Sequence, residues 1–378
     1  MGDIIWGSIV SAIFLLLFVI AEIAYKKGTD VEFTRKFVHF GGAFVTIFFP
    51  FIIHSHWTVL TLASVFAVIM ILTKKLGLLQ SVHGVTRKSE GALYHPIAIY
   101  SCFLYAEILQ QPWFYVIAVL ILAISDASAA LVGKSYGAYE YVVEIGTRKT
   151  FEGSITFFLT SFLITHLILL LATNTGRIES VLIALLISTI VTIFEGVSLK
   201  GADNLFIPLA AMFILSKNIT PTVYGITRQI IILSLFIIWY LIVMKPYKRV
   251  GFSGVLLLGL INYVIWALLG NILAVVMFLF SFICQKTNLI LNYECDVADA
   301  YRVRPIFYIL AVPITCAFLG QALGNIVCIP FITSLICEGY IIKTKFFDGN
   351  LNKGLTATSI ISVIVTIIAL GVKYVFIG

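Results

Sequence analysis

Three acidic residues, Asp126, Glu195 and Asp203, stand inside or beside long apolar runs, where an ionisable group is costly and marks a candidate site. Basic residues accompany them. Arg35, Lys36 and His39 open one apolar run at spacings of three and four, so they can share a helix face. Lys149 and Thr150 open another run, followed by Glu152, Gly153 and Ser154. The segment Gly133-Lys134-Ser135-Tyr136-Gly137 before it reads as a flexible loop whose backbone can approach a ligand. Carboxylates are the hard oxygen ligands that Mg2+ requires, and cations beside helix N-termini bind phosphate. Together these residue types point to metal-assisted phosphoryl transfer. His54, His56 and His166 have no second ligand spaced to pair with them around a metal and read as interfacial or packing residues.

The elements that must hold these groups are membrane helices. Of the 378 residues, 61% are hydrophobic and 11% charged, and the mean hydropathy is +1.07. Soluble domains carry about twice that charge. Apolar runs recur along the whole chain, and the reading is an all-α, polytopic transmembrane helical bundle of about fourteen spans, between about twelve and sixteen. Runs at residues 38–54, 113–133, 152–173, 179–199 and 204–216 contain or adjoin the acidic and basic groups named above. The first run, residues 4–24, lacks a basic stretch before it and a small-residue cleavage site after it, and reads as a retained helix rather than a leader.

Orientation follows from the basic residues. With the N-terminus outside, only Arg177, Lys217, Arg228 and Lys373 of the 25 Lys and Arg fall outside, and the rest lie in cytoplasmic loops. The net charge of +7 is then explained by topology and anionic lipid, with no need for nucleic acid as a partner. Asp126, Glu195 and Asp203 share one layer near the cytoplasmic face, where a cytosolic nucleotide can meet a membrane-dissolved acceptor. Cys102, Cys284, Cys295, Cys316, Cys328 and Cys337 include no CxxC pair and read as packing residues.

Five strings carry a family resemblance: RKFVHFGG at 35–42, RKSEGALYHP at 87–96, SDASAALVGKSYG at 125–137, RKTFEGS at 148–154 and FEGVSLKGADNLFIPL at 194–209. In that order, over residues 30–216, the chain resembles the polyprenol kinase superfamily, which includes phytol kinase, dolichol kinase and the CTP-dependent diacylglycerol kinase. The resemblance implies phosphoryl transfer, typically from CTP, to the hydroxyl of a long-chain isoprenoid alcohol. The expected roles, on the chemistry of the residues in those strings, are that Asp126 and one of Glu195 or Asp203 hold Mg2+ on the nucleotide. Arg35, Lys36, Arg87, Gly133, Lys134, Gly137, Lys149, Gly153 and Ser154 would then bind the nucleotide or its phosphates. The base for the hydroxyl is His39 or a second carboxylate such as Glu195. Ser125-Asp126-Ala127 departs from the family's usual Gly-Asp-Gly and keeps the carboxylate.

Residues 1–244 thus read as a lipid-alcohol kinase-like membrane domain, and 245–378 as a second transmembrane domain. Its opening KRVGFSGVLLLGLINYVIWALLGN and later FDGNLNKGLTATSI faintly resemble the phytyl-phosphate kinase membrane family. It is such a kinase or a degenerate, structural half. The rival activities are a CTP-dependent diacylglycerol kinase and a CDP-lipid cytidylyltransferase, the latter expected to show a late HGG-type acidic signature that is not present. The rival from another class is a transporter, which places its charges near the bilayer midplane in related repeats. Here they crowd one face. The expected location is a prokaryotic plasma membrane or an endomembrane such as the endoplasmic reticulum, with the site facing the cytosol.

Overall fold

The computed structural model describes residues 2–84, 91–144, 147–198, 201–244 and 252–270. Arg87, five of the six cysteines and the expected spans beyond residue 270 lie outside the described residues. The chain is an all-α integral membrane protein to which the structure adds one small two-stranded sheet. Among the described residues, seven helices are long and apolar enough to cross a membrane.

Helices α1 (Gly2–Lys26), α2 (Val31–Thr46), α3 (Phe49–Ile52), α4 (His56–Lys75), α5 (Gln80–His83) and α6 (Gly91–Leu109) lead to a long composite helix. It runs as α7 (Pro112–Leu120), a π turn at Ile121–Ser125 and α8 (Asp126–Tyr136). Strands β1 (Glu140–Glu144) and β2 (Thr147–Thr150) pair with each other. Helices α9 (Phe151–Ala172), α10 (Arg177–Val197), α11 (Asp203–Lys217), α12 (Val223–Met244) and α13 (Phe252–Leu269) complete the described chain.

Two compact units emerge. Among the described residues, the first comprises those up to Tyr141 together with Lys149–Arg228; the second comprises those of Val142–Arg148 and those from Gln229 to Gly270. In the first unit α10 is the central post: 61% of its apolar window is buried, against 11% in α4. A helix that is apolar all round belongs inside, whereas α4 keeps its apolar residues outward for lipid. Around α10 pack α9 and α11, with α8 against α9, and α6 against both α4 and α11. In the second unit Gly259 lets α13 approach α12 closely, since a Cβ there would sit 3.2 Å from the Ile237 Cα.

The run expected as one span over residues 38–54 is divided between α2 and α3. Pro50 has no N–H to return to the Thr46 carbonyl, four residues earlier. That carbonyl instead accepts a hydrogen bond of 2.9 Å from the Tyr115 hydroxyl on α7. The break is thereby satisfied inside the bundle, as a backbone group shielded from water requires.

Candidate active site

Asp126 begins α8 immediately after the π turn. A π turn adds one residue to a helical turn and rotates everything that follows by about 100°. This turn packs against α2, α9 and α11, so the carboxylate behind it enters the space where those helices meet. There the Lys36 ammonium, from the second turn of α2, ion-pairs with Asp126 Oδ2.

A second pair lies beside the first. Lys149 Nζ stands 2.7 Å from Glu195 Oε1 near the end of α10 and also donates to the Glu195 main-chain carbonyl. Asp203 occupies the first turn of α11. Carboxylate oxygens of Asp126, Glu195 and Asp203 all lie within 4.8 Å of one another. The paired side chains are only 13–23% exposed. Such proximity of three acids costs repulsion that the two lysines offset. Burial pulls the Lys149 ammonium down, but the Glu195 and Asp203 carboxylates outweigh it and hold its pKa above the ordinary lysine value.

Local chemistry fixes the backbone that carries these groups. Asp30 caps α2, accepting from the Glu32 N–H at 3.3 Å, and Thr150 caps α9, accepting from the Gly153 N–H at 3.2 Å. Asn204 donates its side-chain amide to the Gly91 carbonyl at 3.0 Å, which ties the start of α11 to the start of α6. Glu152 accepts from the Tyr139 N–H at 3.2 Å and so closes the approach to the sheet.

The expected flexible loop at Gly133–Gly137 is not a loop. Helix α8 continues through Tyr136, and its glycines serve packing: a Cβ at Gly133 would meet Thr150 Oγ1 at 2.8 Å, and one at Gly137 would meet Thr150 Cγ2 at 2.5 Å. A Cβ at Gly153 would meet the same hydroxyl at 2.9 Å. Three glycines thus close around one threonine, and this contact seats α8 against α9 at the site.

The other expected site residues are distributed unevenly. Arg35 is held by Glu32, one turn earlier, at 2.6 Å. Lys134 is exposed in the last turn of α8. Ser154 shares a 2.8 Å hydrogen bond with the Tyr141 hydroxyl. His39 lies within electrostatic reach of Asp126 and Lys36, and its Nε2 is buried without a hydrogen-bond partner.

Among curated proteins, a phytol kinase of Synechocystis sp. is 35% identical over 188 residues, covering 49% of this chain and 79% of that protein. The chain belongs to the polyprenol kinase family. A dolichol kinase of Saccharomyces cerevisiae is 37% identical over 102 residues, which are 26% of this chain and 18% of that protein, so this likeness is confined to one segment. No family model matches the chain, and no solved structure does.

Two residues of this polyprenol kinase family member escaped assignment from sequence. Tyr141 reaches the site from β1: its hydroxyl lies where a Cβ on Gly196 would come within 3.0 Å, and burial raises its pKa against the opposing bond from Ser154. His95, inside the string RKSEGALYHP, packs against His39 with ring centroids 4.8 Å apart and planes tilted by 59°. Neither has a spacing that links it to the acidic residues along the chain; only the packing of β1 and α6 brings them in.

Proposed function

We propose that this chain transfers the γ-phosphoryl group of CTP to the hydroxyl of a long-chain isoprenoid alcohol dissolved in the membrane. The observation that carries the reading is the trio Asp126, Glu195 and Asp203, within 4.8 Å and flanked by Lys36 and Lys149 among apolar helices. The names of the two relatives, both kinases of isoprenoid alcohols, favour this class of acceptor over diacylglycerol.

The donor set fits Mg2+. Oxygens across one octahedral ion are about 4.2 Å apart, close to the observed span, and Mg2+ takes one or two carboxylates with the rest of its shell from water and phosphate. Bound there by Asp126 with Glu195 or Asp203, it would neutralise and orient the nucleotide phosphates. Lys36 and Lys149 keep the acidic trio from repelling an incoming triphosphate and offer cations to its γ-oxygens. The alcohol oxygen attacks the γ-phosphorus. As that P–O bond forms, the β,γ-bridging P–O bond breaks and CDP leaves with the electron pair. The hydroxyl proton passes to His39 Nε2 or to one of the carboxylates.

The distribution of basic residues supports an N-terminus outside, a site facing the cytosol and about fourteen spans in all. Residues 1–244 form the kinase half under this reading, and 245–378 a second membrane half, catalytic toward the monophosphate or structural. The test is transfer of label from γ-labelled CTP, and from each other nucleotide, to phytol, geranylgeraniol, a longer polyprenol and diacylglycerol. Mg2+-dependent label in a prenyl monophosphate, lost in D126A, is the expected result. No transfer to any acceptor by folded protein refutes it.

A further inference from the structure

A cavity of about 200 Å³ lies within the first unit, walled by α1, α4 and α6 and closed below by Thr46 and Phe49. Its lining is apolar, with Phe14, Phe18, Ala63 and Phe66 prominent. Leu15 and Val65 line it and are also 59% and 53% exposed, so it has a mouth between α1 and α4 on the face that meets lipid.

At the inner wall is His95, 9% exposed. Three polar side chains line the cavity. Ser11 donates to the Gly7 carbonyl at 2.8 Å and Thr46 to the Ala43 carbonyl at 3.0 Å, both within their own helices. His95 differs: both of its ring nitrogens are buried without a partner. An unsatisfied buried polar group is costly and rare, and one in the wall of a cavity asks for a ligand that can hydrogen-bond there. The His39 ring packs against it in a tilted contact at 4.8 Å, and His39 in turn lies within electrostatic reach of Asp126 and Lys36. The apolar cavity therefore ends at a pair of imidazoles, the second of which lies within electrostatic reach of the charged layer.

Resting on the kinase reading above, we propose that this cavity is the acceptor site: it takes the hydroxyl end of an isoprenoid alcohol, whose oxygen hydrogen-bonds His95 while its tail leaves between α1 and α4 into the bilayer. An imidazole can accept the hydroxyl proton's hydrogen bond at one nitrogen and donate from the other. Since a cavity of about 150 Å³ holds benzene, the present one holds roughly eight carbons, fewer than two isoprene units. Acceptor choice is then set by the first isoprene units and not by tail length.

The test uses the full chain in detergent with a geranylgeraniol analogue carrying a diazirine on its first isoprene unit. Labelling of α1, α4 or α6 peptides that excess geranylgeraniol suppresses is the expected result. Labelling elsewhere, or labelling here that the alcohol does not compete, as a bilayer acyl chain in the cavity would give, overturns the proposal. In parallel, A63F is expected to raise KM for geranylgeraniol at least tenfold with KM for the nucleotide unchanged. H95L is expected to lose at least 100-fold in transfer, with H95N recovering part of it. An unchanged KM in A63F, or full transfer in H95L, also overturns it. Failure of the kinase reading looks different, as the unmodified chain then transfers nothing to any alcohol while cross-linking still reports whether the alcohol occupies the cavity.

Discussion

The layer around Asp126 and the α12–α13 pair both bury polar groups in a bundle that faces lipid, and they do it with opposite chemistry. Around Asp126 the buried groups are ionised and arranged as acid–base pairs, Lys36 with Asp126 and Lys149 with Glu195. Between α12 and α13 they are neutral: the Asn262 amide donates to the Tyr240 hydroxyl at 2.8 Å, and the Tyr263 hydroxyl to Gln229 at 3.2 Å. Neutral interhelical bonds of this kind are worth roughly 0.6–2 kcal/mol in membranes and serve packing. Ion pairs are a poor way to stabilise a bundle, since desolvation consumes most of their attraction. Charges retained at that cost indicate chemistry, and neutral pairs indicate architecture.

The sharpest way to break the contrast is D126N. It is expected to reduce phosphoryl transfer by at least about 10³-fold, in line with loss of a group acting on transition-state charge. It also strands the Lys36 ammonium. The double variant K36M/D126N should therefore recover thermal stability in detergent without recovering transfer; recovery of both would make the pair architectural. Next, K149M should lower transfer by about 10²-fold. Because carboxylates hold Lys149 above its ordinary pKa, its stabilisation is fully present below the unfolded value of about 10.4 and is lost as pH rises through the higher folded value. Between pH 6 and 9 stability should show no inflection from this residue, and the loss above pH 10 should be shallower in K149M.

Smaller effects separate packing from chemistry. G133A places a methyl 2.8 Å from Thr150 Oγ1 and should destabilise by about 1–3 kcal/mol. T150A loses a helix cap, about 1 kcal/mol. The two together should be less harmful than their sum, because removing the hydroxyl makes room for the methyl; strict additivity in thermal melts would argue against direct contact. The least effect on activity is expected for N262L. It should cost about 1 kcal/mol in thermal unfolding while transfer stays within a factor of two of the unmodified chain. Loss of transfer there would erase the distinction between the two regions.

Much of the site was legible because lipid makes ionisable residues rare. Asp126, Glu195, Asp203, Lys36 and Lys149 stand out from a chain that is 61% hydrophobic, and their expected common layer needed only span counting. The glycines at 133 and 137 were equally visible but open to two meanings, since a glycine permits loop flexibility and close packing alike. Thr150, on another element, decides between them. Arg35 looked equivalent to Lys36, yet Glu32 one turn earlier holds it.

The sequence by itself determined that this is a helical membrane protein with acids and bases in one layer, because hydropathy and charge position act along the chain and need no partner. Tertiary structure alone decided the rest. A π turn sets the direction of Asp126, Pro50 and Tyr115 together end α2, and α6 brings His95 onto His39. Each of these depends on what one element meets on another, and no local pattern records that meeting.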